Sequence, residues 1–315
     1  MPATMLGIFA VWSFALGLAV GSFLNVCIYR LPRNLSLRGR SFCPHCGHVI
    51  RARDLVPLFS QLALGGRCRD CGAPISWRYF AVELLSGLTF LGLYLLYAPQ
   101  GNWLALAAAA VVFPCLIVAF FTDLETTIIP DQCWIIIAVV GVVYDLARLQ
   151  LGQRAGLWQV AISTSGGGYV LHVPMSLVGF VVGGVGLYLF VKVADFFFGR
   201  ETMGWGDVKF TAAAGTILGP GLALVAYLII AALAGLVAAV PVLLWRKKRK
   251  TERAARKKRR GKKGAEPSEE EPLTLVPFGP FLALSLAALM VFGDKILPLV
   301  RAIYAPWKTG GAPWP

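Results

Sequence analysis

The sequence predicts an all-α polytopic membrane protein of about eight transmembrane helices, with a small cytoplasmic domain between helices 1 and 2. Three observations predict it. The 315 residues are 57% hydrophobic and only 15% charged, against about 45–50% apolar and about 25% charged in a soluble domain. Several uninterrupted apolar runs reach the roughly 20 helical residues that cross a hydrocarbon core about 30 Å thick. Two Cys-x2-Cys pairs occupy the polar segment that follows the first run.

Apolar spans fall near 5–28, 80–98, 103–121, 133–150, 175–194, 221–245 and 277–299. A shorter run, 207–219, lies between the glycine-rich "MGWGD" and the turn at Gly219, Pro220 and Gly221. Alternation of apolar spans with polar loops is what a helical bundle requires, since backbone groups in lipid must be satisfied within each helix. No repeat of fixed period is present. The first run lacks the basic start and small-residue exit of a cleavable signal, and "GSFLNVCIYRLP" carries it into a polar segment, so it is read as a retained helix. The chain divides into a first transmembrane helix (1–29), a cysteine-rich domain (30–79), a membrane core (80–245), a basic and acidic linker (246–272) and a last helix with its tail (273–315).

Orientation follows from Lys and Arg, because positive loops stay in the cytoplasm. The segment from Arg30 to Arg78 is rich in Arg and "RKKRKTERAARKKRRGKK" from Arg246 is denser still, whereas Met1 to Met5 and "APQGN" (98–102) carry no charge. The N-terminus is therefore expected outside. Counting through the spans then places "TDLETTIIPDQ" (122–132), "GRETMGWGD" (199–207) and the basic run on the cytoplasmic face, and the loop 151–173 on the outer one. The formal charge of +14 comes largely from the basic run, read as a topology signal resting on anionic membrane lipid. No aromatic residue interleaves the charges from Lys247 to Lys263, so nucleic acid is not an expected partner. "AEPSEEEP" (265–272) has the composition of a charge-balancing linker.

Of seven cysteines, Cys43, Cys46, Cys68 and Cys71 form C-x2-C-x21-C-x2-C. Each pair turns two thiolates toward one point, and two such knuckles complete a closed tetrahedral Zn2+ site. Gly47 and Gly72 fit the tight turn after each knuckle. In the cytoplasm thiols stay reduced, which favours metal over a disulfide or redox pair. About 50 residues build too small a core to fold alone, so bound zinc would supply folding energy. With four Cys present, His45 and His48 are expected beside the site or exposed. Cys27, Cys115 and Cys133 lie in apolar runs and read as packing residues.

The acids carry the chemistry. Asp123 follows "LIVAFFT" at the C-terminal end of the third span, where the helix dipole disfavours negative charge, and Asp207 begins the short helix. A carboxylate at such depth is costly and is a functional candidate by default. Asp207 also reads as a helix cap, and Asp131 more strongly so, since Pro130 breaks the preceding helix. Two carboxylates brought together from different helices cannot both ionise. One keeps a proton while the other draws a proton from a shared water, which attacks a peptide carbonyl as in aspartic proteases. Such a proton belongs to the pair. Gly204 and Gly206 would let backbone and substrate approach closely.

"GSFLNVCIYRLP", the two CxxC knuckles, "CGAPISWRYFAVELLSG", "DLETTIIPD", "MGWGDVKF" and "PFGPFLAL" (277–284), in that order from first helix to last, resemble the bacterial type IV prepilin peptidases within the wider GxGD intramembrane aspartyl protease group. The resemblance implies a bifunctional inner-membrane enzyme that cleaves the basic leader of prepilins and pseudopilins after a glycine on the cytoplasmic side. It also implies N-methylation of the new N-terminal residue with S-adenosylmethionine. Carried over by position, the catalytic pair is Asp123 and Asp207, with Asp131 as supporting structure. The methyl-transfer half rests on resemblance alone; its candidate segment is Gly21 to Glu83, with no donor contact assigned. Two positions depart from the pattern: Thr202 stands where a glycine is usual, and Phe80 where proline is common.

Asn25, Arg30 and Glu83 are polar groups at the membrane edge that serve helix-to-helix hydrogen bonding and head-group contact. Glu83, as an acid facing the groove, is also placed to attract a basic leader. Lys209 is placed to tune the acid pair or to reach phosphate, and the residues do not decide between these. Two rivals remain: a peptidase without methyl transfer, and a zinc-stabilised transporter or scaffold whose acids line an ion path. Transporters often show matched halves, and this chain has no such internal symmetry. The residues carry no signal for oligomeric state.

Overall fold

The structure, a computed structural model, describes residues 3–152, 157–164, 167–199, 202–239 and 277–304. The basic and acidic linker 246–272 lies outside the described residues.

Among the described residues, seven helices are long and apolar enough to cross a membrane. They are α1 (Ala3–Arg30), α3 (Arg78–Tyr97), α4 (Trp103–Thr126), α5 (Asp131–Gln150), α6 (Met175–Phe198), α8 (Leu222–Ala239) and α9 (Gly279–Tyr304). Among the described residues, two shorter α-helices lie between them. One is α2 (Phe59–Ala63), inside the cysteine-rich segment; the other is α7 (Trp205–Leu218), whose 14 residues rise only about 21 Å.

The segment 151–173, expected as an outer loop, holds a β-hairpin. Strands β1 (Leu157–Thr164) and β2 (Gly167–Pro174) pair antiparallel, in register from Leu157 opposite Pro174 to Thr164 opposite Gly167. "VAIST" and "YVLHV" are rich in β-branched and aromatic residues, with glycines between the runs, which is a hairpin signature. It is too short to register against the apolar spans on either side.

Helix contacts are made by small residues, as lipid-embedded packing favours. α1 packs chiefly on α3, and α6 on α7. At Gly21 an added Cβ would stand 2.7 Å from Glu83 Cα, so α1 and α3 meet backbone to backbone there. Gly179 of α6 and Gly215 of α7 face each other in the same way. The core surrounds α4: Val112 and Ala119 pack with Ile137 of α5, Phe210 of α7, Tyr227 of α8 and Leu282 of α9, all of them buried.

α4 runs on past the apolar span that predicts it, so Asp123 sits within its last turn. Thr127 then takes a left-handed conformation (φ 54°), and its N–H closes the helix on the Asp123 carbonyl at 2.8 Å. That stop returns the chain at once into α5.

Candidate active site and metal centre

Asp123 is buried, 6% exposed, and its Oδ2 accepts the backbone N–H of Gly279 at 2.9 Å. The donor opens α9, so the first turn of the last helix grips the last turn of α4. A side chain at position 279 would have to displace the acid, since a Cβ there would lie 2.8 Å from Asp123 Oδ2.

Asp207 is the third residue of α7 and half-buried. The cap of that helix is Gly204, which holds an extended conformation and caps with no side chain, so Asp207 is not the cap. Its carboxyl lies within electrostatic reach of Asp123. One side chain links the surroundings of the two acids. Ile129 would meet a Cβ on Gly206 at 3.5 Å and one on Gly279 at 3.0 Å. Gly204 likewise leaves room beside Asp207, whose Oδ2 would stand 3.8 Å from a Cβ there.

Asp131 is not the cap of α5 either; that position is Pro130. Its Oδ1 instead accepts Trp134 Nε1 at 2.7 Å and Lys209 Nζ at 2.9 Å. Lys209 also lies 5.8 Å from the Trp134 ring centroid. The lysine thus ties α7 to the start of α5, two residues along from Asp207.

The four-cysteine module is built as two matching knuckles. Gly47 (φ +72°) and Gly72 (φ +69°) take left-handed turns that L side chains avoid. Their N–H groups return to Cys43 O and Cys68 O, each at 2.9 Å. A second bond in each knuckle runs from Cys43 N to His48 O at 2.9 Å and from Cys68 N to Ala73 O at 2.8 Å. The four Sγ atoms lie within 4.8 Å of one another, with Cys43 and Cys71 3.9 Å apart. Tetrahedral Zn–S bonds of about 2.3 Å imply S···S edges of about 3.8 Å, so the donor set fits zinc. Backbone N–H groups at Cys46 and His45 push the Cys43 thiol down to about 7, whereas burial and the neighbouring thiols raise Cys46 and Cys71. His45 and His48 are exposed.

Between this module and the ends of α1 and α3 lies a cavity of about 460 Å3, lined in part by Asn25, Tyr29, Tyr79, Glu83 and Glu125. Arg30 holds its rim by donating to the carbonyls of Ser36, Arg38 and Arg40 at 2.9, 2.9 and 3.1 Å. This inward role differs from the expected head-group contact, because the guanidinium is spent on a turn of the chain. Asn25 Nδ2 donates to Tyr79 O at 3.0 Å, the expected helix-to-helix bond. The cavity reaches the acid pair's side of the bundle through Glu125, two residues beyond Asp123, which pairs with Arg78 at 3.0 Å.

Several contributors escape a reading of the sequence. Gly279 stood only within a resemblance motif, although Pro-Phe-Gly-Pro at the head of an apolar run marks an unusual helix start. Asp145 is buried in α5 and accepts the N–H of Ser176 at 2.9 Å, satisfying the first turn of α6 from a neighbouring helix. An acid inside an apolar span was the available signal.

Fold and site together define a helical membrane protein with an acid pair from two helices, adjoined by a four-cysteine module that could hold a metal ion. Residues 15–97 match the bacterial peptidase A24 N-terminal domain, and 110–240 match the type IV leader peptidase family. The chain belongs to the type IV leader peptidase family. It is 32% identical to a prepilin leader peptidase/N-methyltransferase of Burkholderia pseudomallei (strain 1026b), over 93% of this chain and 89% of that protein. It is 33% identical to one of the same description from Dickeya chrysanthemi, over 87% and 90% of the two chains. A third, from Aeromonas hydrophila, is 31% identical over 90% of each. No solved structure matches the chain.

Proposed function

We propose that the protein is a bifunctional membrane enzyme. It hydrolyses the leader of type IV prepilins and pseudopilins with Asp123 and Asp207, then N-methylates the exposed residue with S-adenosylmethionine. The observation that supports this most directly is the buried Asp123, fixed by Gly279 and within electrostatic reach of Asp207. The family membership supports the substrate class.

In this reading the acid pair holds one proton between them and positions a water. The ionised partner takes a proton from that water as its oxygen bonds to the scissile carbonyl carbon. The protonated partner hydrogen-bonds the carbonyl oxygen. Collapse of the tetrahedral carbon breaks the C–N bond, and the departing amine leaves with a proton from the pair. Gly279 keeps Asp123 in place throughout, and the bare backbone at Gly204 and Gly206 admits an extended peptide beside Asp207. Lys209, held by Asp131, positions the α7 turn.

Cys43, Cys46, Cys68 and Cys71 would hold zinc in a structural role, since four thiolates would leave no open position. The methyl donor supplies an electrophilic methyl group when bound, and the segment from Gly21 to Glu83 is the region to hold it. The site faces the cytoplasm of a bacterial inner membrane, where the Arg-rich segment 30–78 is retained. A transporter reading has no support from the family.

The test is incubation of purified protein in detergent with a prepilin and labelled methyl donor. Cleavage is expected in the wild type and absent in Asp123→Ala and Asp207→Ala, while methylation of pre-cleaved pilin survives in both. Cleavage persisting in both variants would refute the mechanism.

A further inference from the structure

The four acids on the wall of the cavity between the cysteine module and α1 and α3 are not equivalent. Asp54, Asp70 and Glu125 each face an arginine: Arg69 at 2.6 Å, Arg51 at 3.5 Å and Arg78 at 3.0 Å. Glu83 has no lysine or arginine at ion-pair distance among the described residues. Its Oε2 accepts the N–H of Leu58 at 2.9 Å, and Leu58 holds φ +62° and ψ −49° at the centre of a γ-turn closed by Phe59 N–H on Pro57 O at 2.7 Å, a rare conformation for a bulky residue. The chain is thus bent sharply where it delivers a donor to this carboxylate. Asn25, on the same wall, is 3% exposed, and its Oδ1 has no hydrogen-bond partner among the described residues.

A half-buried carboxylate without a counter-ion is costly, and the same group becomes favourable once a cation reaches it. The volume of about 460 Å3 falls within the range of small-molecule sites. Tyr29 and Tyr79 line the same wall, each with one ring face covered by a guanidinium, Arg33 at 4.3 Å and Arg78 at 4.6 Å, so a ligand ring has only the opposite faces to meet. A polybasic peptide is a poorer match, because Arg30, Arg51, Arg69 and Arg78 line the cavity too.

We propose that Glu83 is the anchor for the cationic centre of a nucleoside-type ligand in this cavity, namely the sulfonium of the methyl donor. This rests on the methyl-transfer reading above and goes beyond it, because it assigns the group that distinguishes the charged donor from the neutral thioether left after transfer. Discharge of the donor then weakens its hold on Glu83 and favours exchange.

The test is equilibrium binding of S-adenosylmethionine and of S-adenosylhomocysteine to the full-length protein in detergent, for wild type, Glu83→Gln and Glu83→Asp, with zinc content measured on each. Wild type is expected to prefer the sulfonium at least tenfold. E83Q is expected to bind the two nearly equally at unchanged zinc content, and E83D to keep part of the preference. If E83Q loses zinc, E83D alone decides, since an intact preference despite the shortened side chain would overturn the assignment. An undiminished preference in E83Q overturns it as well. So does a loss confined to cleavage of basic-leader prepilin, which would make Glu83 a leader contact. If the wild type cleaves prepilin but binds neither nucleoside, the methyl-transfer reading itself falls, and the assignment with it.

Discussion

The N–H of Gly279 donates to Asp123 Oδ2 at 2.9 Å, joining residues 156 positions apart. The contact puts one carboxylate oxygen at a fixed place, and a Cβ at 279 would invade that place at 2.8 Å. Gly279→Ala is therefore expected to displace the acid without unfolding the bundle. A misplacement of about 1 Å costs on the order of 100-fold in rate. Cleavage should fall by about that factor, while zinc content and elution in gel filtration stay those of the wild type. Cleavage at wild-type rate in this variant would show that the bond does not position the acid.

The pair also predicts a particular pH profile. Because one proton is shared, activity requires the singly protonated state, so kcat/KM for cleavage should fall on both the acid and the alkaline side. Asp123→Asn and Asp207→Asn should each remove the profile along with the activity. A sigmoidal dependence with a single limb in the wild type would indicate that one carboxylate acts alone.

Which parts of this site were legible beforehand follows from how local their physics is. Membrane spans depend on the summed hydropathy of about 20 neighbouring residues, and the seven long helices lie close to the runs that predict them. Cys43, Cys46, Cys68 and Cys71 are readable because C-x2-C is itself the geometry of a knuckle. Asp123 and Asp207 stand out by charge in apolar surroundings. Partners chosen by tertiary packing leave no such trace. Gly279 on Asp123, Arg78 on Glu125 and Lys209 on Asp131 each join residues at least 47 positions apart. Asp131 shows the cost of local reasoning: an acid after proline reads as a cap, yet its oxygen is taken by Lys209 and Trp134.

The Lys209–Asp131 pair is exposed on both sides, 40% and 60% by side chain. Exposed pairs contribute about 0–1 kcal/mol, equivalent to at most about a fivefold change in an equilibrium. Lys209→Met and Asp131→Asn should each reduce cleavage by no more than about fivefold, far less than Gly279→Ala. The exchange Lys209→Asp with Asp131→Lys should recover most of that loss. A loss above about 100-fold in either single variant would give the lysine a role in the chemistry instead of in placing α7.

The metal module supplies the last prediction. Each of Cys43→Ser, Cys46→Ser, Cys68→Ser and Cys71→Ser should lower bound zinc, measured by elemental analysis, whereas His45→Ala and His48→Ala should leave it unchanged. Asp54 braces the same module through a two-pronged bond to Arg69, with Nε to Oδ2 at 2.9 Å and the second nitrogen to Oδ1 at 2.6 Å. That bond holds the Asp54 carboxyl below its usual range. A folded-state value below the unfolded one means the stabilisation is complete above the unfolded pKa of about 3.9 and is lost as pH falls through the lower folded value. The melting temperature of Asp54→Asn should accordingly lie below that of wild type by a constant margin from about pH 8 to about pH 5, narrowing only below about pH 4. A margin that closes between about pH 7 and about pH 5 would trace the dependence to another group, such as a zinc thiolate taking up a proton.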